Sequence, residues 1–298
     1  MKKMLITGGT VFVSRYAAEY FSKKYDVYVL NRNTRPQSVG VTLIEGDRHD
    51  LGEKLRGYHF DVVLDTAYTS DDVNALLDAL DGFGEYILIS SSAVYPETAA
   101  LPFTEETAVG PNKTWGVYGA NKIAAEQAIQ LRVPNAYILR PPYLYGPMNN
   151  VYREAFVFDC AMQGRPFYLP CDGEMKLQFF HVEDLCRFID TILSVHPQQH
   201  VFNVGNRNAV TIREWVTQCY QAAGKKVAFV PVHGDIEQRS YFPFYNYDYY
   251  LDVEKQHALM PVTKRLTEGL EEAFAWYKEN PELVRKKPLL EFIDQNLT

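Results

Sequence analysis

The first half of the chain alternates short apolar runs with longer amphipathic stretches. Met4 to Ile6, Asp26 to Leu30, Val41 to Asp47, Phe60 to Asp65 and Tyr86 to Ser90 are too short for helices and read as strands. After the first run, a helix opens at Phe12, with Tyr16, Ala17, Tyr20 and Phe21 on one face. Asp71 to Leu80 forms the next helix, capped by Ser70 or Asp71. Strands and helices in this alternation predict an α/β fold with a doubly wound parallel sheet of the Rossmann type.

From Pro147 the pattern leaves the sheet. Tyr152 to Gln163 reads as a helix, and Phe167 to Leu169 and Phe179 to His181 flank a loop at Asp172-Gly173-Glu174. In the segment Asp184 to Ser194, Leu185, Phe188, Ile189 and Ile192 share a helical face. Thr211 followed by Glu214 predicts a capping box for a helix over Ile212 to Ala222, and Glu268 to Glu279 is a closing helix. These elements predict a cofactor domain of residues 1–145 with returning segments near 178–206. A smaller C-terminal α/β domain, 146–177 and 207–298, would hold the substrate.

The turn Thr7-Gly8-Gly9-Thr10 joins the first strand to the first helix. Backbone N–H groups and the dipole at such a helix start suit a pyrophosphate. The dinucleotide fingerprint asks for three spaced glycines; here Gly8 supplies the first, while Val11 and Ser14 occupy the other two places. Gly8, Thr10, Val11, Phe12 and Val13 are the expected loop contacts. The second strand ends at Asn31-Arg32-Asn33, followed by Arg35, with no acid for a ribose 2′-hydroxyl. The absence leans the cofactor from NAD toward NADP, whose 2′-phosphate an arginine accommodates. Asp47 and Arg48, at the next strand end, are expected near adenine. Thr66, Ala67 and Tyr68 follow the fourth strand, where small residues let a ligand approach.

The formal charge of −7 argues against general nucleic-acid binding, which needs a basic face. Cys160, Cys171, Cys186 and Cys219 are scattered, without metal-ligand spacing, and read as reduced thiols in a cytoplasmic protein with no metal. The chain enters a strand at once, without a leader pattern, and no apolar run reaches the roughly 20 residues of a membrane helix. The aromatic stretch Tyr241 to Tyr250 reads as a packed loop or a pocket wall, and Arg285-Lys286-Lys287 as a solvated basic run.

Chemistry concentrates after the fifth strand. Tyr118-Gly119-Ala120-Asn121-Lys122 puts a phenol and an ammonium one helical turn apart. A tyrosine titrates near pH 10, and a neighbouring cation favours its phenolate. A serine from Ser90-Ser91-Ser92 would orient a substrate oxygen. Together these groups suit alcohol–carbonyl interconversion beside a nicotinamide.

In order, the blocks TGGTVFVS at 7–14, EGDRHD at 45–50, SSSAVYPE at 90–97, YGANK at 118–122, LRPPYLYGP at 139–147, FFHVEDL at 179–185 and VFNVGN at 201–206 resemble the extended short-chain dehydrogenase/reductases of the NAD-dependent epimerase/dehydratase type. The resemblance covers nearly the whole chain. It implies NAD(P) in the Rossmann half, a small-molecule substrate that is often a nucleotide sugar, and a homodimer. It assigns catalysis to Ser91 (with Ser92 its neighbouring alternative), Tyr118 and Lys122, with Lys122 also holding the cofactor ribose. Ser90 is expected beside the cofactor, and Pro141 to Tyr143 beside the nicotinamide. His181 reads as structural. Leu177, next to Lys176, stands where such nucleotide-sugar enzymes carry a phosphate-binding arginine. That departure, with the Phe-Pro-Phe stretch, resembles a branch that includes the chloroplast stem-loop-binding proteins, some of which bind RNA. A non-catalytic NAD(P)-binding or RNA-associated protein is therefore the alternative.

Overall fold

The computed structural model describes residues 1–298. Strands β1 (Lys3–Thr7), β2 (Asp26–Asn31), β3 (Val41–Glu45), β4 (His59–Asp65), β5 (Gly82–Ile89), β6 (Tyr137–Arg140) and a late returning strand, Val201–Asn203, form one sheet. Its order is β3-β2-β1-β4-β5-β6 followed by the late strand, and every pairing is parallel. Leu5, Ile6, Val63, Leu64, Ile87, Leu88, Ile138 and Leu139 are buried on alternating faces, as a parallel sheet covered on both sides requires. Helix α1 (Phe12–Phe21) packs on one face; α2 (Ser70–Ala79) and α3 (Gly116–Arg132) pack together on the other.

Local chemistry sets the element ends. Thr69, rather than Ser70 or Asp71, caps α2: its hydroxyl accepts from the Asp72 N–H while the Asp72 carboxylate accepts from the Thr69 N–H. The buried face of α1 is Ser14, Ala17, Ala18 and Phe21. Tyr16 and Tyr20, expected inside, lie half-buried at its flank, while Ser14, Ala17 and Ala18 hold the helix close to the sheet. Strand β5 begins earlier than the sequence predicts, at Gly82; a Cβ on Gly84 would stand 2.6 Å from the Asp61 carbonyl oxygen of β4.

The rest of the chain builds a second core around β7 (Tyr143–Tyr145), α4 (Glu154–Met162), β8 (Phe167–Pro170), β9 (Lys176–Leu177) and β10 (Phe179–His181). Helix α5 (Val182–Val195) returns to the main sheet, packs against α1 and leads into the late strand, β11. Beyond it lie β12 (Val210–Thr211), α6 (Ile212–Ala222), β13 (Phe229–Val232), α7 (Glu254–Leu259), α8 (Leu266–Glu279) and α9 (Leu289–Asn296). The predicted capping box of Thr211 and Glu214 is present. Helices α7 and α9 are too short for periodicity to reveal. Tyr241, Phe242, Phe244 and Tyr249 fill this second core, so the aromatic stretch is packed. Its Tyr245 and Tyr249 also face a pocket. Cys160, Cys186 and Cys219 are buried and Cys171 is exposed. No helix is long and apolar enough to cross a membrane.

Candidate active site

The opening turn is built by close contact. Gly8 and Gly9 hold φ of +90° and +87°. A Cβ on Gly8 would sit 2.8 Å from Ser14 Oγ, and one on Gly9 would sit 2.5 Å from Val29 Cγ1. Ser14 thus takes the third glycine's place as a small residue under Gly8. Phe12 holds φ +38°, a left-handed conformation that costs a bulky residue on the order of 1 kcal/mol or more. No side chain caps the α1 N-terminus, and no acid occupies its first turn. Its N–H groups are left for another acceptor, which fits a pyrophosphate. A cleft of about 320 Å³ opens over this turn, lined by Thr10, Val11, Phe12, Arg35, Met148 and Trp276. Val11 forms part of its wall without filling it.

At the β2 end, Asn31 donates to the Gly8 carbonyl at 2.6 Å and to Gln37 at 3.0 Å, so its amide fastens the turn. The Arg32 side chain is 72% exposed, with its nearest carboxylate, Asp47, at 3.9 Å. Arg48 departs from the expectation. Its guanidinium turns inward and donates to Asp65 at 2.6 Å. Tyr86 and Thr7 bind the same fully buried carboxylate at 2.6 and 2.7 Å, so Arg48 balances an interior charge instead of meeting adenine. Thr66 ties to Thr7 through its N–H and hydroxyl, which fixes the strand end where Ala67 and Tyr68 follow.

The three serines after β5 separate by function. Ser90 is buried, and its hydroxyl donates to Glu126 of α3; it is spent inside the protein rather than at the cofactor cleft. Glu126 in turn accepts from Arg140 at 3.0 and 2.6 Å, and Arg140 donates to the Tyr95 hydroxyl at 2.8 Å. Ser92 donates to the Pro141 carbonyl at 3.0 Å and pairs with the Tyr249 hydroxyl. Ser91 alone faces the open pocket, where it lies close enough to the Tyr118 phenol to draw its pKa down.

Gly119 makes that approach possible. A Cβ there would stand 2.6 Å from the Ala93 carbonyl oxygen, so only glycine lets the first turn of α3 lie against the turn that follows Ser91. Tyr118 stacks on Tyr68 with ring centroids 5.7 Å apart. Together with Ser91, Trp115, Pro142, Tyr143 and Arg153 it lines a pocket of about 360 Å³. Pro141 lies behind this wall, its carbonyl taken by Ser92.

Lys122 behaves differently from the sequence expectation. Its ammonium donates to the carbonyls of Ala67 and Ile89 at 2.7 and 2.9 Å, beneath the ends of β4 and β5. Burial lowers its pKa to about 8. The Tyr118 pKa is raised, because desolvation of its hydroxyl outweighs the pull of Ser91 and of Arg153, although the residue as a whole is 36% exposed. Arg153 is therefore the cation that acts on the phenol. Sequence reasoning missed it, since nothing in its local pattern marks it.

His181 caps α5 by accepting from the Glu183 N–H at 3.3 Å. Burial, helped by Lys264, lowers its pKa to about 3 and keeps it neutral, a structural role. Its neighbours Glu183 and Glu272 are both bridged by the Lys264 ammonium, at 2.5 and 2.6 Å, where a metal would otherwise be considered.

Residues 72–205 match the model of the NAD-dependent epimerase/dehydratase family. Over 284 aligned residues, 87% of this chain and 74% of the other, the sequence is 29% identical to a chloroplast stem-loop binding protein of 41 kDa from Arabidopsis thaliana. It is 24% identical to a UDP-glucose 4-epimerase of Corynebacterium glutamicum over 272 residues, 76% of this chain and 82% of that one. Among solved structures, a dTDP-glucose 4,6-dehydratase of Bacillus anthracis in complex with NAD superposes with a TM-score of 0.73 at 21% identity, covering 97% of this chain and 100% of that one. A UDP-glucuronic acid 4-epimerase of Bacillus cereus, in complex with UDP-glucuronic acid and NAD, gives 0.73 at 19% identity, covering 93% and 99%. Residues 72–205 thus resemble the NAD-dependent epimerase/dehydratase family, and the seven-stranded parallel sheet gives the whole chain the fold of those solved structures.

Proposed function

We propose that the protein is an NAD(P)-dependent epimerase, dehydratase or reductase acting on a hydroxyl or carbonyl group of a nucleotide sugar or related sugar. The observation that carries this reading is one pocket holding Ser91 and Tyr118 together, on the helix whose next turn anchors Lys122 under the strand ends. The nucleotide-sugar relatives point the same way.

In this proposal Tyr118 is the general acid/base. Ser91 orients the reacting oxygen and, by hydrogen bonding, eases loss of the phenolic proton. Arg153 stabilises the phenolate that results. Lys122 holds the cofactor ribose, with Ala67 and Ile89 fixing its ammonium. The α1 N-terminus takes the pyrophosphate, and Arg32 and Arg35 favour a 2′-phosphate, hence NADP over NAD. The bound nicotinamide supplies hydride exchange at the substrate carbon. A homodimer through the exposed face of α3, where Val117 and Leu131 are 72% and 84% exposed, belongs to the same proposal.

The test is a fluorescence titration with NADH and NADPH, followed by turnover of nucleotide sugars. NADPH is expected to bind more tightly, and Tyr118→Phe to lower turnover by at least about 100-fold. Absence of binding at about 1 mM of either cofactor, or an unchanged Tyr118→Phe rate, would sink the reading. Tight binding of structured RNA in place of cofactor would favour a role like that in the name of the Arabidopsis relative.

A further inference from the structure

The residues that follow β4 are fastened one by one. The Thr66 N–H and hydroxyl donate to Thr7, at the end of β1, at 2.9 and 3.1 Å. The Ala67 carbonyl accepts from the Lys122 ammonium of α3 at 2.7 Å. The Tyr68 and Thr69 N–H groups both donate to the Asp72 carboxylate of α2 at 2.9 Å. Thr66, Ala67 and Tyr68 are thus tied to three different elements, and a segment held in this way presents its side chains at fixed positions.

The side chain so presented is a large ring near the surface. Ala67 is buried, whereas Tyr68 is 42% exposed and lies against Tyr118, with ring centroids 5.7 Å apart and planes 29° from parallel. Tyr118 stands in the first turn of α3 and is itself partly exposed, so its ring has solvent into which it could swing. Within the pocket the phenol shares the lining with Ser91, Trp115 and Arg153; Tyr68 meets the ring from outside that lining. An offset-stacked aromatic pair holds its relative orientation beyond what burial alone supplies.

We infer that Tyr68 is a positioning residue for Tyr118, and that Lys122 reaches the phenol through it. The ammonium fixes the Ala67 carbonyl, and the next residue carries the ring that keeps the phenol beside Ser91. The inference rests on the reading of Tyr118 as the general acid/base. It gives the one-turn spacing of Tyr118 and Lys122 a second purpose: one helix presents the phenol and, four residues on, sets the place of the ring that steadies it. Two of the three ammonium donors serve Ala67 and Ile89, which leaves the third for the cofactor ribose.

The experiment observes the Tyr118 phenol by NMR of isotope-labelled tyrosine in the full chain, with Tyr118→Phe identifying the signal. Burial and Tyr68 push this phenol up, while Ser91 after β5 and Arg153 at the start of α4 pull it down, so wild type should titrate above the ordinary tyrosine value. Tyr68→Ala bares one face of the ring and should bring the titration down toward that value. Lys122→Met should do the same by freeing Ala67. A direct electrostatic action of Lys122 predicts the opposite sign, since losing a nearby cation raises a phenol. Tyr68→Phe keeps the ring face and should stay close to wild type. With NADPH and a nucleotide sugar, Tyr68→Ala should lower kcat about tenfold with KM nearly unchanged, and Tyr68→Phe should restore it. An unmoved titration in Tyr68→Ala, or a rise in Lys122→Met, would overturn the inference. Tighter NADPH binding by Tyr68→Ala would overturn it too, because the ring would then occupy the cofactor's place. Tyr68 is exposed enough for its truncation to leave the fold intact, so that variant decides even where Lys122→Met is unstable. The phenol titration needs neither cofactor nor substrate, so NADPH that fails to bind would refute the proposed function while the ring contact is read independently.

Discussion

Between α3 and the sheet, Glu126 and Arg140 meet through two hydrogen bonds, and Ser90, Tyr95 and Asn203 complete the group. Beyond the first turn of the same helix, Arg153, Arg239 and Lys287 share a cavity with no carboxylate among them. The first region takes charge out of water and provides the counter-charge; the second gathers three cations and provides none. Folding alone explains the first, since a buried ion survives when it is paired and hydrogen-bonded. It does not explain the second, where three cations stand around one cavity without a counter-charge. Satisfied charge therefore marks the scaffold that holds α3, and unpaired charge lines the cavity beside its first turn.

The largest effect that can break this comparison lies in the scaffold. Glu126→Ala leaves Arg140 buried without its partner, at a cost of roughly 3–5 kcal/mol. Urea unfolding measures it. Replacing both residues with methionine should recover most of the loss, because an apolar pair of similar volume needs no counter-charge. A loss below about 1 kcal/mol for Glu126→Ala would mean that pairing is incidental.

Lys122 stands between the two regimes. Its ammonium is fixed by two carbonyls, while Asp65 and Glu126 act on it only through space. Its pKa in the folded protein is about 8, against 10.5 as the ordinary value. Between those limits the unfolded chain holds more protons, so stability from this group rises with pH across about 8 to 10.5. The slope approaches about 1.4 kcal/mol per pH unit. Lys122→Met removes it, so the stability difference between wild type and variant should grow in favour of wild type over that window in pH-dependent melting. A difference that stays flat would show the ammonium to be better solvated than its surroundings indicate.

Periodicity made the Rossmann half legible because each strand carries its own signal: Val62-Val63-Leu64 and Ile87-Leu88-Ile89 need no partner to be recognised. The one-turn spacing of Tyr118 and Lys122 likewise put both on one helix. What it left open was where the ammonium points, which depends on carbonyls at Ala67 and Ile89, far away in sequence. The inward turn of Ser90 and Arg48 is hidden from the local pattern for the same reason. Successive strand-end side chains alternate between faces, and whether Ser90 or Ser91 meets the pocket is settled by Glu126 on α3. Arg48 resembles a surface contact until Asp65 is seen beneath it. The Arg153 group was the least visible, since its members lie far apart in the chain and Lys287 reads locally as part of a solvated basic run.

The smallest expected effect is also the most discriminating. If Arg153 served the fold, its loss would cost as much as breaking the Glu126 pair. In Arg153→Met, contacts with the Tyr143 and Phe244 rings worth about 0.5–1 kcal/mol each are exchanged for methionine packing. Repulsion from Arg239 and Lys287 is removed in the same step. The net change in stability should stay within about 1 kcal/mol, with the melting temperature unchanged or slightly raised. Added pyrophosphate should separate the two proteins, because a ligand that binds only the folded state raises its stability by mass action. Wild type should gain with concentration and the variant should gain much less. A large loss without ligand would make Arg153 a structural residue and remove the contrast between the two regions.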